Sequence, residues 1–319
     1  LDGFDLGVGI LHPTARNDRE RRIYMNSIGP LWDGNEVWLV TFGGAMFAAF
    51  PPTYATVFSM FYTPFMLLLF ALILRAVSME FRSKRPEQWW RTMWDYAFCA
   101  ASTLASLLFG VAVGNIMRGV PLNANGDFTG NFFSFLTPYP ILVGLLVVAT
   151  FAMHGGIYLY LKTEGALQER LYPMLWRSFG IFLVLYIFTT MFTLVQVPQA
   201  IENFETMPAA WVVVVLNVLA IANIPRALFM HKPAYAFLSS CASIAAFVFL
   251  FGIALFPNMV VSSVNPAAHT LTIYSAASSP TTLTIMLIIA IIGMPIVLTY
   301  TAIIYWTFRG KVELGKFSY

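Results

Sequence analysis

Long apolar stretches recur along this chain, each bounded by charged residues, prolines or polar clusters. A membrane-spanning helix needs about 20 mostly apolar residues, because the hydrocarbon core of a bilayer is about 30 Å thick. The stretches predict nine spans, at about 1–11, 30–50, 54–74, 95–117, 138–161, 178–197, 209–224, 235–256 and 282–307. The first is too short to cross a bilayer, so we expect the sequence to start partway through its first helix.

The Pro51-Pro52 pair determines how residues 31–74 are divided. A single helix over this stretch would be about 66 Å long, more than twice the hydrocarbon thickness. Proline removes a backbone donor and disfavours helix in the residue before it. We therefore predict two antiparallel helices joined by a tight turn at this pair.

Composition agrees with the apolar pattern. Hydrophobic residues make up 59% of the chain, charged residues only 10%, and the mean hydropathy is +0.73. That leaves too little polar surface to cover a water-soluble globule. No tandem repeat or polar linker divides the chain. The predicted fold is therefore all-α: one integral-membrane domain, 1–319, forming a polytopic transmembrane helix bundle.

Basic residues fall unevenly on the loops that nine spans would place on opposite sides of the membrane. Seventeen of the 18 lysines and arginines lie on one side, and only Arg118 lies on the other. Because basic loops are retained in the cytoplasm, the chain is predicted to have its N-terminus outside and its C-terminus in the cytoplasm. The weakly charged loops 119–137 and 257–281 are then extracytoplasmic.

The strongest chemical candidates are Asp33 and Glu36, in the run WDGNEVW at the start of the second span. They are three residues apart and so share a helix face. Acids inside a span are costly and are functional candidates by default, and a low dielectric favours their protonated form. The pair could relay protons, or it could form buried ion pairs. In the second case Trp32, Asn35 and Trp38 would anchor a subunit interface.

Asp2 and Asp5 repeat this three-residue spacing in a glycine-rich first span. Small residues such as Gly3 and Gly7 allow helices to approach closely. Acids in a packed helix need partners, and proton relay and structural pairing are equally compatible with the pattern.

His154 lies inside the span 138–161 and is followed by two glycines. It could ligate a haem, carry protons or simply hydrogen-bond across a helix contact. Because it has no second ligand nearby, the last is favoured and no metal site is predicted.

Other chemistries find little support. Cys99 and Cys241 lie in apolar stretches and are interpreted as packing residues. No phosphate-binding loop or hydrolase triad is present, and the net charge of +3 reflects basic residues beside the spans rather than a nucleic-acid surface.

Several runs closely resemble subunit II of the cytochrome bd quinol oxidases. They include DGFDLG at 2–7, RNDRERR at 16–22, WDGNEVWL at 32–39, GGAMFAAFP at 43–51, FRSK at 81–84, Trp94-Asp95, Gly114-Asn115, GVP at 119–121, TGNF at 129–132 and HGG at 154–156. The similarity extends over the whole chain and is weakest at about 198–234.

The resemblance implies a haem-free second subunit of nine helices in a respiratory complex of the bacterial or archaeal cytoplasmic membrane. Two b-type haems and one d-type haem are expected in the partner, subunit I, where quinol is oxidised and oxygen is reduced to water. This chain would stabilise subunit I and line a cytoplasmic proton path. It would bind no cofactor itself, except for a structural quinone or a lipid. Small single-helix accessory subunits and membrane lipids are further expected partners.

Carried over by position, the resemblance assigns the proton-path acid to Asp33 and a second important acid to Asp5. Glu36, Asp2 and His154 remain candidates from the residue pattern alone. The rival function is a proton-coupled secondary transporter, whose embedded acids would bind solute. Transporters usually show internal repeats and broken helices, and neither is evident in this sequence.

Overall fold

The computed structural model describes residues 2–315, apart from the side chain of Gln199. Helices dominate this part of the chain. In order they are α1 (Gly3–Leu11), α2 (Asp18–Ile28), α3 (Trp32–Ala49), α4 (Pro51–Met60), α5 (Tyr62–Arg82), α6 (Gln88–Arg118), α7 (Pro138–Lys162), α8 (Gly165–Gln196), α9 (Gln199–Thr206), α10 (Ala210–Phe229), α11 (Pro233–Leu255), α12 (Pro266–His269) and α13 (Pro280–Thr307).

Seven of the described helices, α5, α6, α7, α8, α10, α11 and α13, are long and apolar enough to cross a membrane. The two other predicted spans correspond to α1, which has nine residues, and α3, which has 18. The chain is an all-α, polytopic membrane protein. Several helices outrun the predicted spans, because hydropathy detects only the apolar part of a helix that continues into the polar interface.

One predicted span is divided in two. The stretch 54–74 is shared between α4 and α5, which meet at Phe61. Pro64 lies in the first turn of α5 and has no N–H to donate to the carbonyl of Met60, so a continuous helix is interrupted one turn earlier. The break at Pro51-Pro52 is also present, and both prolines occupy the first turn of α4.

Helix α7 lies at the centre of the bundle, where it packs against α1, α6, α8 and α11. Its contact with α1 is a backbone contact, because a Cβ added to Gly7 would lie 1.8 Å from the carbonyl oxygen of Phe151. A Cβ on Gly155 would lie 2.4 Å from the carbonyl carbon of Gly7. Only glycine fits at this crossing, and it fixes the position of α1 within the bundle.

The two long loops that are predicted to be extracytoplasmic pack on each other. The Val120 N–H donates to the Val261 carbonyl (2.9 Å), and the Ser263 N–H donates to the Val120 carbonyl (2.9 Å). Strands β1 (Asn258–Val260) and β2 (Leu271–Thr272) pair antiparallel beside them. These contacts cover one end of the bundle.

Helix α13 is held by its ends. None of its residues is buried within this chain, and its main neighbour is α3. At one end the Ser278 N–H donates to the Ala49 carbonyl (2.8 Å). At the other, Lys162 donates to the carbonyls of Phe308 and Gly310, while Lys311 donates to those of Leu161 and Thr163.

Candidate functional site

Arg75 of α5 is fully buried and gathers acids from two other helices. Its Nη1 donates to Glu36 of α3, and its Nη2 donates to Asp2 Oδ1, at the start of α1, over 3.2 Å. The ring of Trp32 lies 6.0 Å from the guanidinium carbon. The Gly7–Gly155 contact places α1 deep enough for Asp2 to reach this arginine.

Asn35 connects the next acid to the same group. Its Nδ2 donates to Asp5 Oδ2 over 2.6 Å, and its Oδ1 accepts from the Tyr305 hydroxyl over 3.1 Å. Asp5 is fully buried and Asn35 is 3% exposed. We call the six residues Asp2, Asp5, Asn35, Glu36, Arg75 and Tyr305 the Arg75 cluster.

The Arg75 cluster is rich in acid. Arg75 binds two carboxyl groups directly and Asn35 holds a third beside them, so with every group ionised the cluster would carry a net charge of −2. Uncompensated charge is costly in a low dielectric, which favours keeping a proton on at least one of the acids. Asp2 Oδ2 and Asp5 Oδ1 have no hydrogen-bond partner among the described residues and are free to hold it.

Asp33 and Glu36, expected to share a site, have different surroundings. Glu36 is half-buried against Arg75, whereas Asp33 is exposed and forms no hydrogen bond or ion pair with a described residue. Asn35, a predicted interface residue, is instead satisfied inside this chain. Trp32 and Trp38 are half-buried, and their interface role stays a prediction.

His154 lies apart from the hydrogen bonds of the Arg75 cluster. It is 4% exposed, its Nδ1 lies 2.7 Å from the Ser240 hydroxyl, and its ring stacks on Phe237 at 5.0 Å. These contacts satisfy it as a helix-packing residue. Within residues 2–315, no three His, Cys, Asp or Glu side chains come together as a metal ion would require.

A cavity of about 640 Å³ lies beside the Arg75 cluster and His154. Phe109, Phe151 and other apolar side chains form most of its wall. Its polar lining comes from Asp2, Asn35, His154 and Tyr305. An apolar chamber with a few polar groups at one side is typical of small-molecule sites in proteins.

A second charged group lies at the predicted cytoplasmic end of the bundle. Asp95 of α6 accepts from Arg82 Nε (2.6 Å) and from Arg21 Nη1 (3.0 Å), and it lies 2.6 Å from His12 Nε2. Asp18 accepts from Arg82 Nη2 (2.8 Å) and pairs with Arg91 at 3.5 Å. We call these six residues, His12, Asp18, Arg21, Arg82, Arg91 and Asp95, the Asp95 cluster.

His12 lies between helices in a short 3₁₀ turn, His12–Thr14, and is fully buried. Burial lowers its pKa, because a buried imidazolium loses hydration, although the hydrogen bond that His12 donates to Asp95 acts in the opposite direction. The ring also packs edge-on against Phe98 at 5.2 Å. His12 therefore serves as a neutral, packed member of the cluster.

Sequence reasoning missed the basic half of both clusters. From the sequence, Arg75 and Arg82 are recognised only as loop charges that set the orientation of the chain in the membrane, because they follow the predicted span 54–74. The seven-residue interval between them was an available signal, since it places both on one helix face two turns apart. Asp95, at the first position of a predicted span, was another.

The fold and the buried charges define a class: a polytopic membrane subunit that holds acids at protein-lined positions inside a helical bundle. The family described as "Cytochrome bd terminal oxidase subunit II" matches residues 1–308. The chain belongs to this family. The predicted resemblance to subunit II of the bd-type quinol oxidases is thereby confirmed, and the transporter alternative is not supported.

Curated relatives agree over nearly the whole chain. It is 38% identical to the cytochrome bd-I ubiquinol oxidase subunit 2 of Escherichia coli (strain K12), an alignment that covers 98% of this chain and 90% of the relative. It is 34% identical to the cytochrome bd ubiquinol oxidase subunit 2 of Bacillus subtilis (strain 168), covering 98% and 92%.

A solved structure shows the same fold. The bd oxidase from Geobacillus thermodenitrificans contains a chain that superposes with a TM-score of 0.77, covering 96% of this chain and 94% of that one. The two sequences are only 18% identical. The helical arrangement is therefore kept while most side chains differ.

Proposed function

We propose that this chain delivers protons from the cytoplasm to a haem-bearing subunit I in a bacterial cytoplasmic membrane, where the complex oxidises quinol and reduces oxygen to water. Two b-type haems and one d-type haem belong to that partner. The present chain also stabilises the partner through its apolar outer faces. Small accessory subunits and lipids complete the expected assembly.

The observation that carries the proposal is the acid surplus of the Arg75 cluster. Charged side chains are scarce in this protein, yet here one arginine binds two carboxyl groups within the helical bundle and a third is hydrogen-bonded beside them through Asn35. A structural ion pair needs only one acid for each base. The additional acids provide a group that can gain and lose protons without loss of the guanidinium contact.

The order of acids suggests a direction of transfer. Asp33 is exposed near the predicted cytoplasmic start of α3, and Glu36 lies one turn further along that helix. Glu36 and Asp2 then bind the same guanidinium, and Asn35 holds Asp5 beside them. We propose the sequence Asp33, Glu36, Asp2 and Asp5, with Arg75 stabilising whichever acid has lost its proton.

His154 has a weaker claim to a place in this sequence. It lines the same cavity as Asp2 but forms no hydrogen bond with the acids among the described residues, and its Nδ1 already faces Ser240. The size and apolar lining of the cavity favour a quinone ring or a lipid chain as its occupant, so we retain such a molecule among the expected partners.

The test replaces acids by their amides in the assembled, haem-replete oxidase. Glu36→Gln keeps the shape of the side chain but removes its exchangeable proton, so we expect oxygen reduction to fall at least about 100-fold, the lower end of the usual range for loss of a proton-transfer group. Asp33→Asn should slow turnover less, because water can reach the site that it occupies. Oxygen consumption and proton uptake are both measured.

Asp127→Asn is the matched control, since it removes an acid from the exposed extracytoplasmic loop and should leave both rates unchanged. Visible haem bands of normal intensity show that each variant has assembled. Normal turnover by an assembled Glu36→Gln complex would show that the acids of the Arg75 cluster are structural only.

A further inference from the structure

A small cavity of about 230 Å³ opens between the adjoining ends of α10 and α11. It is lined by Asn223, Arg226, Ala227, Met230, Lys232 and Tyr235. This end of the hairpin lies on the side that the distribution of basic residues assigns to the cytoplasm. The cavity shares no residue with the Arg75 cluster or the Asp95 cluster.

Both cations of the cavity lack an acidic partner. Arg226 Nη1 donates to Asn223 Oδ1 over 3.0 Å, and Lys232 Nζ lies 5.6 Å from the centroid of the Tyr235 ring. Neither forms an ion pair with a carboxylate of residues 2–315. The local charge is therefore positive and uncompensated.

The start of α11 adds to this positive potential. Lys232 is the N-cap residue, no side chain caps the helix, and Pro233 follows at the first helical position. The first N–H groups of a helix have no intrahelical partner, and the helix dipole makes that end attractive to anions. Two side chains and a helix end thus converge on one small volume.

Hydrogen bonds fix the backbone of the turn between the helices, from which both cations project. The Met230 N–H donates to the Arg226 carbonyl (3.0 Å), and the Lys232 N–H donates to the Ala227 carbonyl (2.9 Å). His231 packs its ring against Tyr172 at 5.1 Å. Asn223 is itself fixed by a 2.8 Å hydrogen bond from its Nδ2 to Ser239. The backbone of the turn and the Asn223 side chain are therefore ordered before a ligand binds.

Large apolar side chains close in sequence to the lining residues are exposed in this chain. Phe229 is 74% exposed, Leu238 63% and Tyr235 60%. A soluble anion would use the cations alone, whereas a lipid would also contact these side chains with its glycerol and acyl groups. The surroundings therefore favour an amphipathic anion.

We propose that this cavity binds the phosphate of an anionic phospholipid of the cytoplasmic leaflet. Arg226 and Lys232 neutralise the phosphate, the N–H groups at the start of α11 donate to it, and the acyl chains lie along the exposed faces of α10 and α11. Basic pockets between helices on the cytoplasmic side are a known form of headgroup recognition. The proposal does not depend on the proton path.

The test titrates the purified oxidase complex with three probes, dioctanoyl phosphatidylglycerol, dioctanoyl phosphatidylcholine and inorganic phosphate, and follows bound lipid by native mass spectrometry. We expect phosphatidylglycerol to bind more tightly than the other two. The double variant Arg226→Gln/Lys232→Gln should weaken its apparent Kd roughly 30-fold, which is the effect of two membrane-surface cations.

Two variants separate a specific site from general surface charge. Arg19→Gln/Lys84→Gln removes one exposed arginine and one exposed lysine from the same predicted side and should leave the Kd unchanged. Arg226→Lys/Lys232→Arg keeps both charges and should retain most of the affinity. Normal haem bands verify assembly of each variant.

Three results would overturn the assignment. Equal phosphatidylglycerol binding by wild type and the double glutamine variant would show that the lipid does not bind in this cavity. Equal binding of phosphatidylcholine would make the anionic charge irrelevant. Equal competition by inorganic phosphate would identify a site for free anions rather than for a lipid.

Discussion

Arg75 and Arg82 lie two turns apart on one face of α5, and both are fully buried, but their surroundings differ in composition. Arg75 is the one base of a cluster with three carboxyl groups, two of which it binds directly. Arg82 shares two carboxylates with Arg21 and Arg91, beside a neutral His12. The first group has more acids than bases, and the second has more bases than acids.

This difference separates two uses of buried charge. In the Asp95 cluster each acid contacts at least two basic side chains, so little can change without breaking contacts. In the Arg75 cluster the acids outnumber the donors, so protons can enter and leave while the arginine keeps a partner. The same residue type on the same helix thus holds a fixed network of ion pairs in one place and, in the proposed function, supports proton exchange in the other.

The largest expected effect comes from Arg82→Gln. This change leaves Asp95, whose side chain is 8% exposed, without its main partner, and breaking a buried pair costs about 3–5 kcal/mol. The midpoint of thermal unfolding, followed through the haem bands of the complex, should fall accordingly. Arg82→Gln/Asp95→Asn should recover part of the loss. An unchanged midpoint for the single variant would show that the Arg82 ion pairs do not stabilise the fold.

Arg75→Gln should destabilise the complex less, by about 1–3 kcal/mol, because the acids left behind can neutralise themselves by taking up protons. The same unfolding measurement compares the two arginines directly. A midpoint shift as large as that of Arg82→Gln would mean that the Arg75 acids remain ionised, which contradicts the proposed proton exchange.

The smallest effect is a dependence of stability on pH that arises from His12. Its pKa is lower in the folded protein than in the unfolded chain, where it is about 6.5. The unfolded chain therefore binds a proton first, so stability is full above that value and declines as pH falls through it. The wild-type unfolding midpoint should drop more between pH 7.5 and 5.5 than that of His12→Asn. Parallel curves would exclude His12 as the cause.

The sequence predicted much of the fold because each apolar stretch had to match the thickness of a bilayer. It also identified Asp2, Asp5 and Glu36, since an acid inside an apolar run is conspicuous. It could not reveal their partner: Arg75 is 73 residues from Asp2 and 39 from Glu36, and only the packed bundle brings them together. His12 was likewise overlooked, because its role depends on the hydrogen bond to Asp95, which is 83 residues away in the sequence.

Helix ends and interruptions were the least predictable features. The helix is interrupted at Phe61 because of Pro64. The break lies one turn before this proline, inside an otherwise uniform apolar run. The separation of Asp33 from Glu36 has a similar origin. Residues three apart lie on one side of a helix, but the neighbour that buries Glu36 does not extend to Asp33.

Helix α13 follows the other described helices in the sequence, and it buries none of its residues within this chain. Its lysine–carbonyl contacts with the end of α7 and its hydrogen bond to α3 tether it without covering it. A chain that has not yet met its partner therefore presents a long, weakly held apolar helix. Quality control in the membrane could recognise that helix, so the lifetime of an unassembled chain would depend on how quickly α13 finds a neighbour.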